Sequence, residues 1–234
     1  MKIITNTKLI KRNTKIGQYL TIIALVTLGA GLYITFKMPD KFVLSMGCLL
    51  VGFFLSQIGM YYGNRWGRSP RPDEIIDKNM KGLGREYTIY HYTTPASHFL
   101  TGPAGLWVIM PYYQGGKIIF DGKRWKSKGG GFARTYMRLF GQETMGRPNL
   151  EADAEIRSVT QHLTRFLSDG FHLPEIKAIL LFTSPQATLE VENSPYPAMK
   201  TDELKEYLKS RSKEKPISDE ELTSIRDVLP KPEK

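Results

Sequence analysis

Two long, uncharged apolar segments in the first third of the chain constrain its fold more than any other feature. They run from Ile16 to Phe36 and from Phe42 to Tyr62, and only residues 37–41 separate them. At 1.5 Å per helical residue, the 21 residues of each segment reach about 30 Å, the thickness of a bilayer's hydrocarbon core. The sequence therefore predicts a transmembrane helical hairpin over residues 16–62. A cleaved signal peptide is disfavoured, because the second span follows the first at once.

Basic residues flank the outer ends of the two segments, and they predict the orientation of the hairpin. They are Lys2, Lys8, Lys11, Arg12 and Lys15 before the first span, and Arg65, Arg68 and Arg71 after the second. The short turn between the spans offers only Lys37 and Lys41, with Asp40 between them. The positive-inside rule then puts both termini in the cytoplasm. We expect a multi-pass protein of the inner (plasma) membrane, and a prokaryotic one, since eukaryotic targeting signals are missing. Residues 1–15 form a basic cytoplasmic N-terminus, and residues 63–72 form a linker.

Small residues inside the spans indicate that helices approach each other closely there. Gly29 and Gly31 lie in the first segment, and Gly47 and Gly52 lie in the second. Such positions favour packing within the hairpin or between copies, so a membrane protein partner or a homo-oligomer is expected. The chain has a single cysteine, which excludes a disulfide scaffold and a cysteine-based zinc cluster.

The residues after the linker alternate between helix and strand signals. Helices are predicted over 73–83, 151–167 and 201–209, and strands over 87–92, 97–101, 106–110, 117–120, 176–183, 189–192 and 196–199. This order predicts a mixed-sheet, three-layer α/β domain over residues 73–210. Residues 211–234 are expected to be a charged C-terminal tail, in which Ser218 and Glu221 have the spacing of a capping box.

The stretch over residues 98–125, HFLTGPAGLWVIMPYYQGGKIIFDGKRW, resembles the core of the nuclease-related domain (NERD) family. The Gly-Pro-x-Gly turn, the buried strand, Gly116-Lys117 and Trp125 occur in the same order. The resemblance extends over about residues 73–210 and implies a restriction-endonuclease-like fold. In that family, an Asp and the Glu of a Glu-x-Lys pair hold a divalent metal, and the Lys assists the attack of water.

This chain departs from the family pattern at the positions that carry the chemistry. The alignment puts Ser97 at the Asp, Met110 at the Glu and Tyr112 at the Lys. A thioether is a poor ligand for a hard cation, and a hydroxyl brings no charge. Residues 87–120 contain no acidic residue. We therefore expect no catalytic residues of the family type, no metal site and no cofactor.

Other groups that could carry chemistry are better explained as structure. His91 and His98 come from neighbouring predicted strands and can meet, but a half-exposed sheet explains them better than a metal pair without further ligands. An alternative acidic site is conceivable, but surface helix and turn positions account better for its members, which are Glu86, Asp121, Asp153 and Glu155.

A basic insert over residues 123–147 leaves three interpretations open. Its cations are Lys123, Arg124, Lys126, Lys128, Arg134, Arg138 and Arg147, and they are interleaved with Trp125, Phe132, Tyr136 and Phe140. This pattern suits a nucleic-acid groove with phosphate contacts and base stacking. It also suits an amphipathic segment on anionic lipid headgroups. A solvated basic loop is the third interpretation.

These observations give one main hypothesis for function and two alternatives. The first is a membrane-anchored, non-catalytic nuclease-related protein that acts as a binding or assembly module on the cytoplasmic face of the bilayer. The second is a membrane-tethered, metal-dependent nuclease or phosphodiesterase with relocated ligands. The third is a small structural subunit of a larger membrane complex.

Overall fold

The structure is a computed structural model that describes residues 1–128, 145–168, 170–214 and 216–231. The chain divides into two compact units. The hairpin unit is Asn6–Arg71, and the α/β unit combines Met1–Thr5 with Pro72–Lys234. Residues on both sides of the hairpin unit thus belong to one folded body.

The hairpin unit consists of two long helices, α1 (Thr7–Lys37) and α2 (Phe42–Tyr62), joined by a short 3-10 turn at Pro39–Lys41. The side chain of Asn6 caps α1 by accepting a hydrogen bond from the backbone N–H of Leu9 at 2.9 Å. Both helices are long and apolar enough to cross a membrane, as the sequence predicts. Large apolar side chains lie exposed on their outer surface, namely Tyr19, Ile22, Ile23, Leu25, Val26, Leu32, Tyr33, Phe36, Phe42, Val43, Leu44, Met46, Leu50, Val51, Phe53, Phe54, Ile58 and Tyr61.

The four glycines singled out in the sequence divide into two pairs. A Cβ on Gly31 would lie 3.0 Å from the Leu49 side chain, and one on Gly52 would lie 2.7 Å from Leu28 Cγ. These two glycines let α1 and α2 approach closely. A Cβ on Gly29 or Gly47 would meet nothing within 4 Å, so these positions face away from the helix contact.

The α/β unit is built on a mixed sheet, which confirms the mixed α/β architecture expected from the sequence. Its described strands are β1 (Lys2–Thr5), β2 (Thr88–His91), β3 (His98–Gly102), β4 (Gly105–Tyr112), β5 (Gly116–Phe120), β6 (Trp125–Lys128), β7 (Ile176–Phe182), β8 (Ala187–Val191) and β9 (Ala198–Lys200). The larger sheet has the order β1-β2-β3-β4-β7-β9, and a smaller sheet has the order β6-β5-β8. β2, β3 and β4 form an antiparallel meander, whereas β1, β7 and β9 join their neighbours in parallel.

Helices cover both faces of the larger sheet. The described helices of this unit are α3 (Pro72–Asn79), α4 (Pro148–Phe166), α5 (Leu204–Glu214) and α6 (Asp219–Asp227). Alternate strand residues point to opposite faces. Phe99 therefore belongs to a first core cluster with Val159 of α4 and Ile225 of α6. Leu100 belongs to a second core cluster that contains residues of α3 and α5.

The first strand of the sheet was not expected from the sequence. Residues 2–5 pair in parallel with β2, with Ile4 opposite Tyr90, and the side chain of Ile4 is buried in the first core cluster. A four-residue strand next to a basic segment carries little pattern of its own, and its partner lies more than eighty residues away in the chain.

Several element ends differ from the sequence expectations. The helix predicted over 73–83 ends at Asn79, because a turn follows in which Gly82 has a φ of 84°. The helix predicted over 201–209 starts at Leu204 and runs to Glu214. Within the expected charged tail, α6 begins at the predicted capping box of Ser218 and Glu221, and its apolar side chains are buried.

Candidate functional site at the ends of β3 and β4

The three positions that the family resemblance singled out come together on one face of the larger sheet. In the β3–β4 ladder Phe99 is opposite Val108, so continuing the register by two residues sets Ser97 across from Met110. Tyr112 lies two residues further along β4 and therefore points to the same face. Met110 and Tyr112 are buried, 7% and 8% exposed, and both belong to the first core cluster.

β4 continues through Pro111 to Tyr112, beyond the strand expected over 106–110. The pairing of β3 with β4 ends at Phe99 and Val108, and the last residues of β4 pair in parallel with β7. A proline is tolerated there because β4 no longer lies between two ladders. The strand extension is what carries Tyr112 into the site.

Helix α4 supplies two carboxylates to this place. Glu151 and Glu155 are one turn apart on the helix, so their side chains lie on the same side of it. The hydroxyl of Tyr112 donates to Glu151 Oε2 at 2.9 Å, and the hydroxyl of Ser97 donates to Glu155 Oε1 at 3.5 Å. The backbone N–H of Arg147 donates to the other oxygen of Glu151 at 3.0 Å.

Glu151 was not expected at this site from the sequence, and Glu155 was expected at the surface. The signal that could have found them is their spacing beside the core stripe of α4, in which Ala152, Val159 and Leu163 are buried. Carboxylates that flank such a stripe at i and i+4 lie at the edge of the buried face. Knowing that this edge meets the end of β4 requires the three-dimensional structure.

The electrostatics of the site keep Tyr112 protonated. Burial raises the pKa of its phenol well above the ordinary value, and the neighbouring charge of Glu151 raises it further. Tyr112 is therefore a neutral hydrogen-bond donor that holds one oxygen of Glu151, while Arg147 holds the other.

The chemistry available at this site differs from that of a metal-dependent nuclease. A thioether, an aliphatic hydroxyl and a phenol occupy the three aligned positions, and none of them is a good ligand for Mg²⁺ or Mn²⁺. Within the described ranges, no group of three or more His, Cys, Asp or Glu side chains is placed to hold a metal ion. The arrangement is a hydrogen-bonded cluster that fixes the start of α4 to the end of β4.

The described cations of the basic insert lie on and around the β5–β6 hairpin. Lys123 and Arg124 are in its turn, and their backbone N–H groups donate to Asp121 Oδ1. Lys126 donates to the other oxygen of Asp121 at 2.7 Å, and this contact lowers the pKa of the carboxyl. Lys128 ends β6, and Arg147 precedes α4. Arg134 and Arg138 lie outside the described residues, as do Phe132, Tyr136 and Phe140.

Trp125 is partly buried and packs against the first core cluster. Its ring packs against Phe120 and Phe182, with ring centroids 4.8 and 6.2 Å away, and its indole N–H donates to Asn149 Oδ1 at 3.0 Å. These contacts engage the ring in the packing of the domain, and base stacking by Trp125 stays a prediction.

Three other side chains considered in the sequence, Asp153, His91 and His98, are accounted for by local structure. Asp153 accepts a hydrogen bond from the hydroxyl of Tyr196, which fixes the opposite flank of α4. His91 and His98 do meet, on the sheet face opposite Ser97, but the expected half-exposed position is wrong. Their side chains are 0% and 1% exposed, because α3 covers this part of the sheet.

Comparisons of the chain with models of protein families, with curated proteins and with solved structures find no match.

Proposed function

We propose that this protein is anchored in a membrane by its α1–α2 hairpin and presents a degenerate nuclease-related domain on the cytoplasmic face. In this proposal, the domain serves as a binding or assembly module and does not cleave a phosphodiester. Its fold would be a restriction-endonuclease-like one in which the catalytic groups have been replaced.

The anchor is supported by the outer surface of the hairpin and by the position of β1. Exposed large apolar side chains on both helices suit a hydrocarbon environment and are costly in water. β1 precedes the hairpin and pairs with β2, which follows it, so the chain must leave and return on one side of the bilayer. Two crossings satisfy this requirement, and the basic flanks favour the cytoplasmic side.

The loss of catalysis is supported most directly by the surroundings of Glu151. Both of its oxygens accept hydrogen bonds from the protein, one from Tyr112 and one from Arg147. A catalytic carboxylate of this fold would instead offer its oxygens to a divalent cation. Tyr112, which stands where the family has its Lys, remains neutral and carries no charge to stabilise a transition state.

A specific observation favours one alternative function. Glu151 and Glu155 reach the aligned site from α4, so a nuclease or phosphodiesterase with relocated metal ligands has candidate carboxylates in this place. These two residues would have to exchange their hydroxyl donors for a metal ion. The experiment that tests the proposal therefore has to include them.

The experiment uses the full chain, purified in mild detergent and incubated with labelled DNA, RNA and a phosphodiester dye in Mg²⁺ or Mn²⁺. We expect no hydrolysis above the background of the Glu151→Gln, Glu155→Gln variant. Turnover that this variant abolishes would establish the relocated-ligand enzyme instead. A reporter that is active only outside the cytoplasm, fused to Lys234, should give no signal, and a strong signal would overturn the proposed topology.

The basic insert is the proposed contact to an anionic partner. Tethering to a membrane favours lipid headgroups over nucleic acid, because the insert is held near the bilayer. The contact of Lys126 with Asp121 offsets part of its charge, so the other described cations of the insert would carry the interaction, namely Lys123, Arg124, Lys128 and Arg147. Replacing these four with Gln should weaken binding to anionic vesicles and leave binding to neutral vesicles unchanged.

A further inference from the structure

The first turns of α1 carry a stripe of cations on a single helix face. Lys8, Lys11, Arg12 and Lys15 are spaced at i, i+3, i+4 and i+7, and all four are exposed. This spacing places side chains one above another along the helix. The opposite face is the packed one, since Ile10, Asn13 and Gly17 are buried there.

The same helix face continues into an aromatic residue and then into apolar ones. Tyr19 follows Lys15 by one turn and is 64% exposed, and the exposed residues that come next on this face are Ile22, Ile23 and Val26. The distance from Lys11 to Tyr19 along the helix axis is about 12 Å. Along α1, cations are followed by an aromatic ring with a polar tip and then by apolar side chains. This order matches the layers of a leaflet, which are the anionic headgroups, the interface and the acyl chains.

The length of α1 agrees with this order. Its 31 residues span about 46 Å, whereas the hydrocarbon core of a bilayer is about 30 Å thick. About three turns of the helix must therefore lie outside the core. These are the turns that carry the four cations.

The sequence immediately around the stripe contains no acidic residue. The first acidic residue of the chain is Asp40, at the other end of α1, and the first turn of the helix contains no acid. Like charges at i+3 and i+4 repel, and cations near a helix N-terminus oppose the helix dipole. An external anion beside Lys11, Arg12 and Lys15, which are exposed, relieves both effects.

We propose that the Lys8–Lys15 face of α1 binds the headgroups of anionic phospholipids in the leaflet on the side of the termini. The inference rests on the proposed insertion of the hairpin into a membrane and adds the class of lipid that the hairpin selects. The turn at the other end of the hairpin is the natural comparison, because Lys37 and Lys41 flank Asp40 there and the net charge is small.

The test measures lipid selectivity of the full chain in mild detergent after delipidation. Phosphatidylglycerol and phosphatidylcholine with identical acyl chains are titrated, and native mass spectrometry counts the bound lipids. We expect tighter binding of phosphatidylglycerol that weakens as salt is added. The Lys11→Gln, Arg12→Gln, Lys15→Gln variant should lose about a hundredfold of this affinity, since each basic residue near an anionic surface contributes about fivefold.

Two control variants isolate the stripe. Lys37→Gln, Lys41→Gln removes cations from the other end of the hairpin and should keep the selectivity. Lys11→Arg, Lys15→Arg keeps the charge and should also keep it. Gln has a helix propensity similar to those of Lys and Arg, so circular dichroism of the triple variant should match the wild type.

Three results would overturn the inference. They are equal affinity for the two lipids, unchanged phosphatidylglycerol binding by the triple variant, and displacement of phosphatidylglycerol by millimolar phosphate or a short oligonucleotide. Extraction of reconstituted vesicles at alkaline pH tests separately whether the hairpin is inserted in the membrane, so a failure of lipid selectivity can be told from a failure of the anchor. Wild type and triple variant should both stay with the membrane, whereas release of the wild type would contradict the proposed anchor itself.

Discussion

His91 and His98 face each other across β2 and β3, with their Nδ1 atoms 2.7 Å apart in an interior closed to solvent. The Nε2 of His91 is 3.0 Å from Asp77 Oδ1 on α3. A carboxylate can only accept, so His91 carries its proton on Nε2, and in the neutral pair His98 donates to His91. The three side chains form a chain of hydrogen bonds that ties the first helix of the α/β unit to two strands.

Replacing His91 should destabilise the α/β unit strongly. His91→Ala removes the group that joins Asp77 to His98 and leaves a cavity between the sheet and α3. We expect this to lower the free energy of unfolding by about 2–4 kcal/mol. Chemical denaturation of the full chain in detergent, followed by tryptophan fluorescence to which the buried Trp107 of the α/β unit contributes, measures this loss. His172→Ala, at an exposed position, is the control and should change stability by less than about 0.5 kcal/mol.

The bond between Tyr112 and Glu151 should be measurable as a coupling energy. Tyr112→Phe removes the hydroxyl and leaves Glu151 Oε2 without this donor, at a cost of about 1–2 kcal/mol. A double-mutant cycle with Glu151→Ala should give a coupling of about 0.5–3 kcal/mol, because the two side chains touch. Strictly additive losses would show that this contact does not fix α4 to β4.

The tyrosines predict a loss of stability at alkaline pH. Burial raises the pKa of Tyr90 to about 12, and burial together with Asp153 raises the pKa of Tyr196 to about 12. The pKa values in the folded state lie above the ordinary value of 10.0. The contribution of these two tyrosines to the free energy of unfolding is therefore complete below pH 10 and is lost as the pH rises towards 12. Denaturation midpoints between pH 8 and 12, recorded with tyrosinate absorbance, measure this loss. Equal stability at pH 9 and pH 12 would contradict the prediction.

The first strand offers a matched pair of substitutions in adjacent residues. Ile4 is 9% exposed in the first core cluster, whereas Ile3 points the other way and is 47% exposed. Ile4→Asp buries a charge without a partner and should cost several kcal/mol, while Ile3→Asp should cost less than about 1 kcal/mol. Limited proteolysis and thermal unfolding of the α/β unit distinguish the two. Equal effects would show that β1 does not belong to the sheet.

How much the sequence predicts depends on how local each signal is. The two apolar segments and the strand at 106–110 carry their own periodicity, and the capping box of Ser218 fixes a helix start within four residues. β1 forms a strand only because it pairs with β2, and Glu151 belongs to the site only because it contacts Tyr112. Both partners are distant in the chain, so no local pattern identifies these two features. The sequence predicts half-exposed positions for His91 and His98 for the same reason, because α3, which covers them, comes from an earlier part of the chain.

Two glycines of α2 provide an internal control for the packing of the hairpin. A Cβ on Gly52 would lie 2.7 Å from Leu28 Cγ and 3.1 Å from the Leu28 backbone nitrogen, whereas one on Gly47 meets nothing within 4 Å. Gly52→Ala must therefore push α1 and α2 apart and should cost about 1–3 kcal/mol, because overpacking a tight contact strains it. Gly47→Ala should leave the hairpin as stable as before, since it adds a methyl group to an open surface. Cross-linking of engineered cysteine pairs between α1 and α2, with Cys48 replaced, reports the helix separation in membranes. Equal cross-linking yields for the two variants would show that Gly52 is not the contact that brings the helices together.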